Sequence, residues 1–129
     1  SLALSGSYDN TLKLWDTCDG SLIRTFEGHS DGVNACCFSP DGSLVLSASA
    51  DNTLKLWDTD TGSLIRTLEG HFRGVNACSF SPDGSLALSA SDDDTFRFWD
   101  INSEKLLKTF VHLPQGESTC LDYEGNKTL

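Results

Sequence analysis

The sequence predicts an all-β protein built from one repeated four-stranded antiparallel sheet, about three sheets in 129 residues. Three observations lead there. The nonapeptide DNTLKLWDT at residues 9–17 returns unchanged at 51–59, and a looser copy, DDTFRFWDI, fills 93–101, each copy starting 42 residues after the last. Short runs with strand-like alternation recur between these copies, punctuated by Gly, Pro, Asn and Asp. No stretch carries the 3.6-residue apolar period of a helix.

The elements follow in order within one copy. VNACCFS (33–39) lies between HSDG and PDG, SLVLSAS (43–49) follows that Pro-Asp-Gly turn, and TLKLWDT (53–59) follows ADN. SLIRTLE (63–69) follows DTG and is the fourth strand. The turns hold the Asp, Asn and Gly that tight reversals need. In the third strand Leu54, Leu56 and Asp58 alternate with Lys55 and Trp57, one set per face. Residues 1–42 and 43–84 share 33 of 42 positions, whereas 43–84 and 85–126 share 14. The first two copies read as a recent duplication; the third decays, mostly after Asp100.

Composition bounds the function. Apolar residues make up 38%, enough for a core, and no apolar run approaches the roughly 18 residues of a membrane span. A formal net charge of −10 repels phosphate backbones, so neither nucleic acid nor membrane is expected as a partner, and a basic protein partner would suit it. The five cysteines (Cys18, Cys36, Cys37, Cys78 and Cys120) match no zinc spacing. Cys36, Cys78 and Cys120 keep the 42-residue period, which predicts one small apolar site per copy in a reducing, cytoplasmic setting, without a disulfide framework.

The Gly-His pairs at Gly28-His29 and Gly70-His71, the SPDG turns, the Asp ahead of the third strand and the closing Trp-Asp resemble the WD-repeat β-propeller family over nearly the whole chain. The resemblance implies one propeller blade per copy and a hydrogen-bond chain across it. One set would be His29, Ser47 or Ser49, Asp51 and Trp57; the next, His71, Ser89 or Ser91, Asp93 and Trp99; Asp9 and Trp15 belong to a copy lacking its His. A buried Trp needs a partner for its N–H, and a carboxylate fixes the tautomer of a buried imidazole. Ser, His and Asp also make up a hydrolase triad, but they recur in every copy beside a Trp, with no G-x-S-x-G elbow, so no catalytic residue, metal or cofactor is expected.

The register implies strands two to four of a blade at 1–27, full blades at 28–69 and 70–111, and a degenerate first strand in 112–129, with Leu113 at the expected His position. Propellers need about four to eight blades. The chain is therefore expected either to join copies of itself, the last strand completing a neighbour's first blade, or to be a fragment or sensor region of a larger WD-repeat signalling protein. Two chains make six blades and three make nine; six is the common ring size.

In this family loops meet partners. The nine differences between the first two copies include Tyr8 for Ala50, Ser30 for Phe72 and Asp31 for Arg73. With Asp92, these positions (Tyr8, Ser30, Asp31, Phe72, Arg73 and Asp92) are the candidate protein-binding surface of a non-catalytic scaffold. DTDTG at 58–62 lacks calcium-loop spacing and reads as a turn, and NKT at 126–128 matches a glycosylation sequon that would not be used inside a cell.

Overall fold

A computed structural model describes residues 1–111, and beyond them the backbone of 120–121 and 127–128. The first sheet is β1 (Leu2–Gly6), β2 (Leu12–Asp16) and β3 (Leu22–Phe26), in that order. The second is β4 (Val33–Phe38), β5 (Leu44–Ser49), β6 (Leu54–Asp58) and β7 (Leu64–Leu68), the third β8 (Val75–Phe80), β9 (Leu86–Ser91), β10 (Thr95–Asp100) and β11 (Leu106–Val111), each an antiparallel meander. A short ladder pairs β12 (Cys120–Leu121) with β13 (Lys127–Thr128). The strands expected at 33–39, 43–49, 53–59 and 63–69 all form, trimmed by a residue at one or both ends. Whether 112–129 completes a neighbour's blade falls outside the described residues.

The turn chemistry explains the repeated Asp-Asn. Asn10, Asn52 and Asp94 hold φ of 75°, 75° and 65°, a left-handed conformation that Asn and Asp tolerate better than other side chains. Asp51 accepts the Thr53 N–H and hydroxyl through Oδ1, closing the turn into β6. The β3–β4 loop depends on glycine twice over. Gly28 has φ of 156°, and a Cβ there would lie 3.1 Å from the Trp57 ring.

The sheets stack like blades, and the core lies in the two junctions. At the first, Trp57, Val45 and Val33 of the second sheet bury against Leu12, Leu14 and Phe26 of the first. The Trp57 and Phe26 rings meet edge-on with centroids 5.6 Å apart. At the second, Trp99, Ala87 and Val75 pack on Leu46, Leu54, Leu56 and Leu68. Because the second sheet has a neighbour on each side, both faces of β6 are dry: Leu56 on one and Trp57 on the other are almost fully buried. Such a Trp contributes about 3–5 kcal/mol over Ala. The outer faces differ, since Trp15 is only half-buried and Phe96 is 36% exposed.

Candidate functional site

The β5–β6 register places Val45 opposite Trp57 and Ser47 opposite Lys55, which aims the Ser47 hydroxyl at the indole. Trp57 Nε1–H donates to Ser47 Oγ at 2.9 Å. Ser47 Oγ lies 2.6 Å from His29 Nε2, and His29 Nδ1 lies 2.7 Å from Asp51 Oδ2. Indole N–H is only a donor, so the single Ser47 proton goes to Nε2 and the imidazole proton sits on Nδ1. The same carboxylate oxygen accepts the Ser30 backbone N–H at 3.1 Å, tying the frame to the loop after Gly28-His29. The third sheet repeats the set. Trp99 donates to Ser89, Ser89 meets His71 at 2.6 Å, and His71 meets Asp93 at 2.8 Å, with Phe72 N–H on Asp93.

Between the two serines the expectation had left open, the structure chooses Ser47 and Ser89 for the His–Trp chain. Ser49 has a separate task. Its hydroxyl contacts the carbonyls of Asp31 and Gly32 at 3.1 and 2.9 Å and accepts the Asp51 N–H. Ser91 does the same for Arg73, Gly74 and Asp93.

Electrostatics fit neutral imidazole and ionised carboxylate. Burial pushes the His29 and His71 pKa values below their ordinary 6.5, against the pull of Asp51 and Asp93. Burial would raise the Asp51 carboxyl, but hydrogen bonds from Thr53 and His29 outweigh it and hold it low; Asp93 is held low in the same way by Thr95 and His71. The arrangement has the outline of a Ser-His-Asp triad, yet Ser47 and Ser89 are completely buried, and each hydroxyl is committed to an indole. A nucleophile must reach its substrate.

In the first sheet Trp15 keeps its bond to Ser5 at 2.9 Å, but Lys13 Nζ stands 3.5 Å from Asp9 where the other sheets have an imidazole. Asp9 therefore serves its turn, accepting from Thr11, and pairs with Lys13 instead of an imidazole.

All six candidate binding residues lie along one rim. In the second sheet the Ala50 N–H donates to Gly32 O, in the third the Asp92 N–H donates to Gly74 O, and Val33 N–H reaches across the first junction to Ser7 O. Gly32 abuts Tyr8, and Gly74 abuts Ala50, so the loops form a continuous edge. On it Tyr8 is 94% and Phe72 81% exposed. Ser30, Asp31, Arg73 and Asp92 are exposed as well, with Asp92 accepting from Asn76 at 2.6 Å. A shallow pit of about 370 Å³ opens beside Tyr8, lined by Gly6, Ser7, Val33 and Asn34.

Sequence reasoning missed Arg97. It replaces the Lys13 and Lys55 of the other copies, donates to Gly70 O at 2.6 Å, and lies 5.8 Å from the centroid of the Phe72 ring. A cation under the ring holds Phe72 at the rim. The Lys-to-Arg change in the third copy was the available signal.

Repeated antiparallel blades, stacked through buried Trp faces and cross-braced by Trp–Ser–His–Asp chains, define a blade-repeat protein of the propeller class. The family model "WD domain, G-beta repeat" matches residues 1–16, 20–58 and 62–100, and the chain belongs to that WD-repeat family. Curated relatives include the nuclear distribution protein PAC1 of Coprinopsis cinerea, 50% identical over 38 residues, which is 30% of this chain and 9% of that protein. The guanine nucleotide-binding protein subunit beta of Arabidopsis thaliana is 52% identical over 40 residues, 30% of this chain and 11% of its own. Human proteasomal ATPase-associated factor 1 is 46% identical over 41 residues, 32% and 10% respectively. Each match is about one repeat long and spans about a tenth of the relative, so the likeness is to the blade unit. No helix among the described residues is long and apolar enough to cross a membrane.

Proposed function

We propose that this chain is a non-catalytic scaffold that binds other proteins along the rim bearing Tyr8, Ser30, Asp31, Phe72, Arg73 and Asp92. The observation that carries the reading is the pair of large aromatic side chains, Tyr8 and Phe72, held out at 94% and 81% exposure on a surface braced from beneath. Exposed aromatics beside Arg are the residue types that anchor interfaces. The buried serines support the non-catalytic half, since every Ser-His-Asp set is sealed under a Trp. Free thiols at Cys18, Cys36, Cys37 and Cys78 suit a reducing, intracellular compartment. Affinity capture from a cell lysate with the chain and with its F72S/R73D variant tests the rim. Loss of the captured proteins in the variant is expected; an unaltered set would sink the assignment.

The blades are proposed to work within a closed ring. Leu88, Ala90 and Phe96 line an open pit of about 250 Å³ on the third sheet. Their counterparts on the second, Leu46, Ala48 and Leu54, are wholly buried by the next blade. A second copy, giving six blades, or a third, giving nine, would cover that face. The alternative is that further blades of a longer WD-repeat signalling protein do so, a reading favoured by how little of its relatives the chain spans. Light scattering at rising concentration separates them: a dimer or trimer supports self-assembly, and a strict monomer supports the longer chain.

A further inference from the structure

Strands β4 and β8 lie side by side across the second junction, and Cys37 of one packs beside Cys78 of the other against the same core. The Cys37 S–H donates to the Cys78 carbonyl at 3.9 Å, and the Cys78 S–H donates to Leu46 O at 3.8 Å. Three residues earlier, Asn34 Nδ2 donates to Val75 O at 3.0 Å, which pins the strands in this register. Both cysteines are free and half-buried, packed against the junction core.

The repeat does not require this pair. Cys78 sits at the periodic position it shares with Cys36, but Cys37 is one of the nine changes between the first two copies, and Ser79 takes its place in the third. Neighbouring Cys36 points the opposite way, against the first junction's core. This cross-junction pair of cysteines therefore occurs once among the described residues.

We propose that Cys37 and Cys78 form an oxidisable dithiol site that takes hydrogen peroxide as its oxidant and closes to a disulfide between the two blades. The Cys37 thiolate attacks one peroxide oxygen, the O–O bond breaks, and the departing hydroxide takes up the proton that Cys37 released on ionising and leaves as water, with Cys37 now a sulfenic acid. Cys78 sulfur then attacks that sulfur; the S–S bond forms, the S–O bond breaks, and hydroxide takes the Cys78 proton as a second water. Two thiols are oxidised by two electrons and one peroxide is reduced. The order of attack follows from the pairing. The neighbouring Cys78 side chain holds the Cys37 pKa below its ordinary value, and the Cys37 partner, with burial, holds Cys78 far above its own. The link would join residues 41 apart in sequence. It would also fix the spacing of the rim loops, because β4 follows Ser30–Gly32 and β8 follows Phe72–Gly74.

The test uses the whole chain carrying Cys18→Ser, which removes the exposed thiol, treated with a small excess of hydrogen peroxide. Intact mass and peptide mapping are expected to show loss of two hydrogens and a Cys37–Cys78 link that dithiothreitol reverses. With Cys78→Ser added, Cys37 is expected to be trapped by dimedone as the sulfenic acid; with Cys37→Ser, a change the third blade already carries at Ser79, no link is expected. Circular dichroism of each variant establishes that it is folded. Both thiols remaining alkylatable after peroxide, or a link mapping to Cys36 or Cys120, would overturn the proposal.

Discussion

His29 Nδ1 stands 2.7 Å from Asp51 Oδ2, and this contact orders every proton on the path to Trp57. With Nδ1–H committed to the carboxylate, Nε2 must accept from Ser47, and Ser47 is then free to accept from the indole. Asp51→Ala would leave a buried imidazole N–H and the Ser30 and Thr53 donors without an acceptor. It is expected to cost about 3 kcal/mol. Asp9→Ala, where no imidazole meets the carboxylate, is expected to cost less. Urea unfolding of both variants checks this, and equal losses would mean that the network does not brace the blade.

The same network gives stability a pH dependence whose sign is fixed. Folding lowers the His29 and His71 pKa values below 6.5, so the unfolded chain binds more protons in that range. Stability is then flat above about pH 6.5 and falls as pH drops below it. Asp51 and Asp93 are also lowered, from 3.8, and their share is lost only at still lower pH. Urea midpoints are expected to decline between about pH 6.5 and pH 5, and a His29→Gln/His71→Gln variant is expected to be flatter there. A rise in stability on acidification through this window would contradict the neutral-imidazole assignment.

The blade was legible in the sequence because its parts are local. Strand alternation, Asp-Asn turns and the 42-residue period all operate within a few residues of each other. What stayed ambiguous depended on register. Ser47 and Ser49 are two apart on one strand and share a face, so period-2 reasoning cannot separate them; only the pairing of Val45 with Trp57 does. Arg97 escaped notice because its partners, Gly70 O and the Phe72 ring, are brought to it by the fold from 27 and 25 positions away. The rim residues were visible as differences between copies, whereas their continuity as a single edge depends on contacts across the junctions.

Glu104 stands in a turn where both of its copies carry glycine. It holds φ of 62° where Gly20 and Gly62 hold 75°. A longer side chain in that region costs about 1 kcal/mol. Its compensation is a bond from Arg66 at 3.0 Å between two partly exposed groups, worth little in water. Glu104→Gly is expected to raise stability by about 0.5 kcal/mol or more, read as a higher thermal midpoint. A lower midpoint would mean that the Arg66 bridge between the second and third sheets outweighs the backbone strain.

Ser47 and Ser49 are expected to fail in different ways. Ser47→Ala removes the only partner of the Trp57 N–H and strands His29 Nε2 in a dry interior, costing about 2–3 kcal/mol. Ser49→Ala takes away the hydroxyl that holds the Asp31 and Gly32 carbonyls and the Asp51 N–H at the foot of the rim loop, at about 1–2 kcal/mol. Its signature should be local. Amide exchange at Ala50 and Asp51 is expected to accelerate while β6 stays protected, because the loop after His29 loses its tie to the β5–β6 turn. Under Ser47→Ala protection should fall across β5 and β6 together. Should the two substitutions give the same exchange pattern, the separation of a bracing serine from a loop-holding serine would be wrong, and the rim would share the frame's own stability.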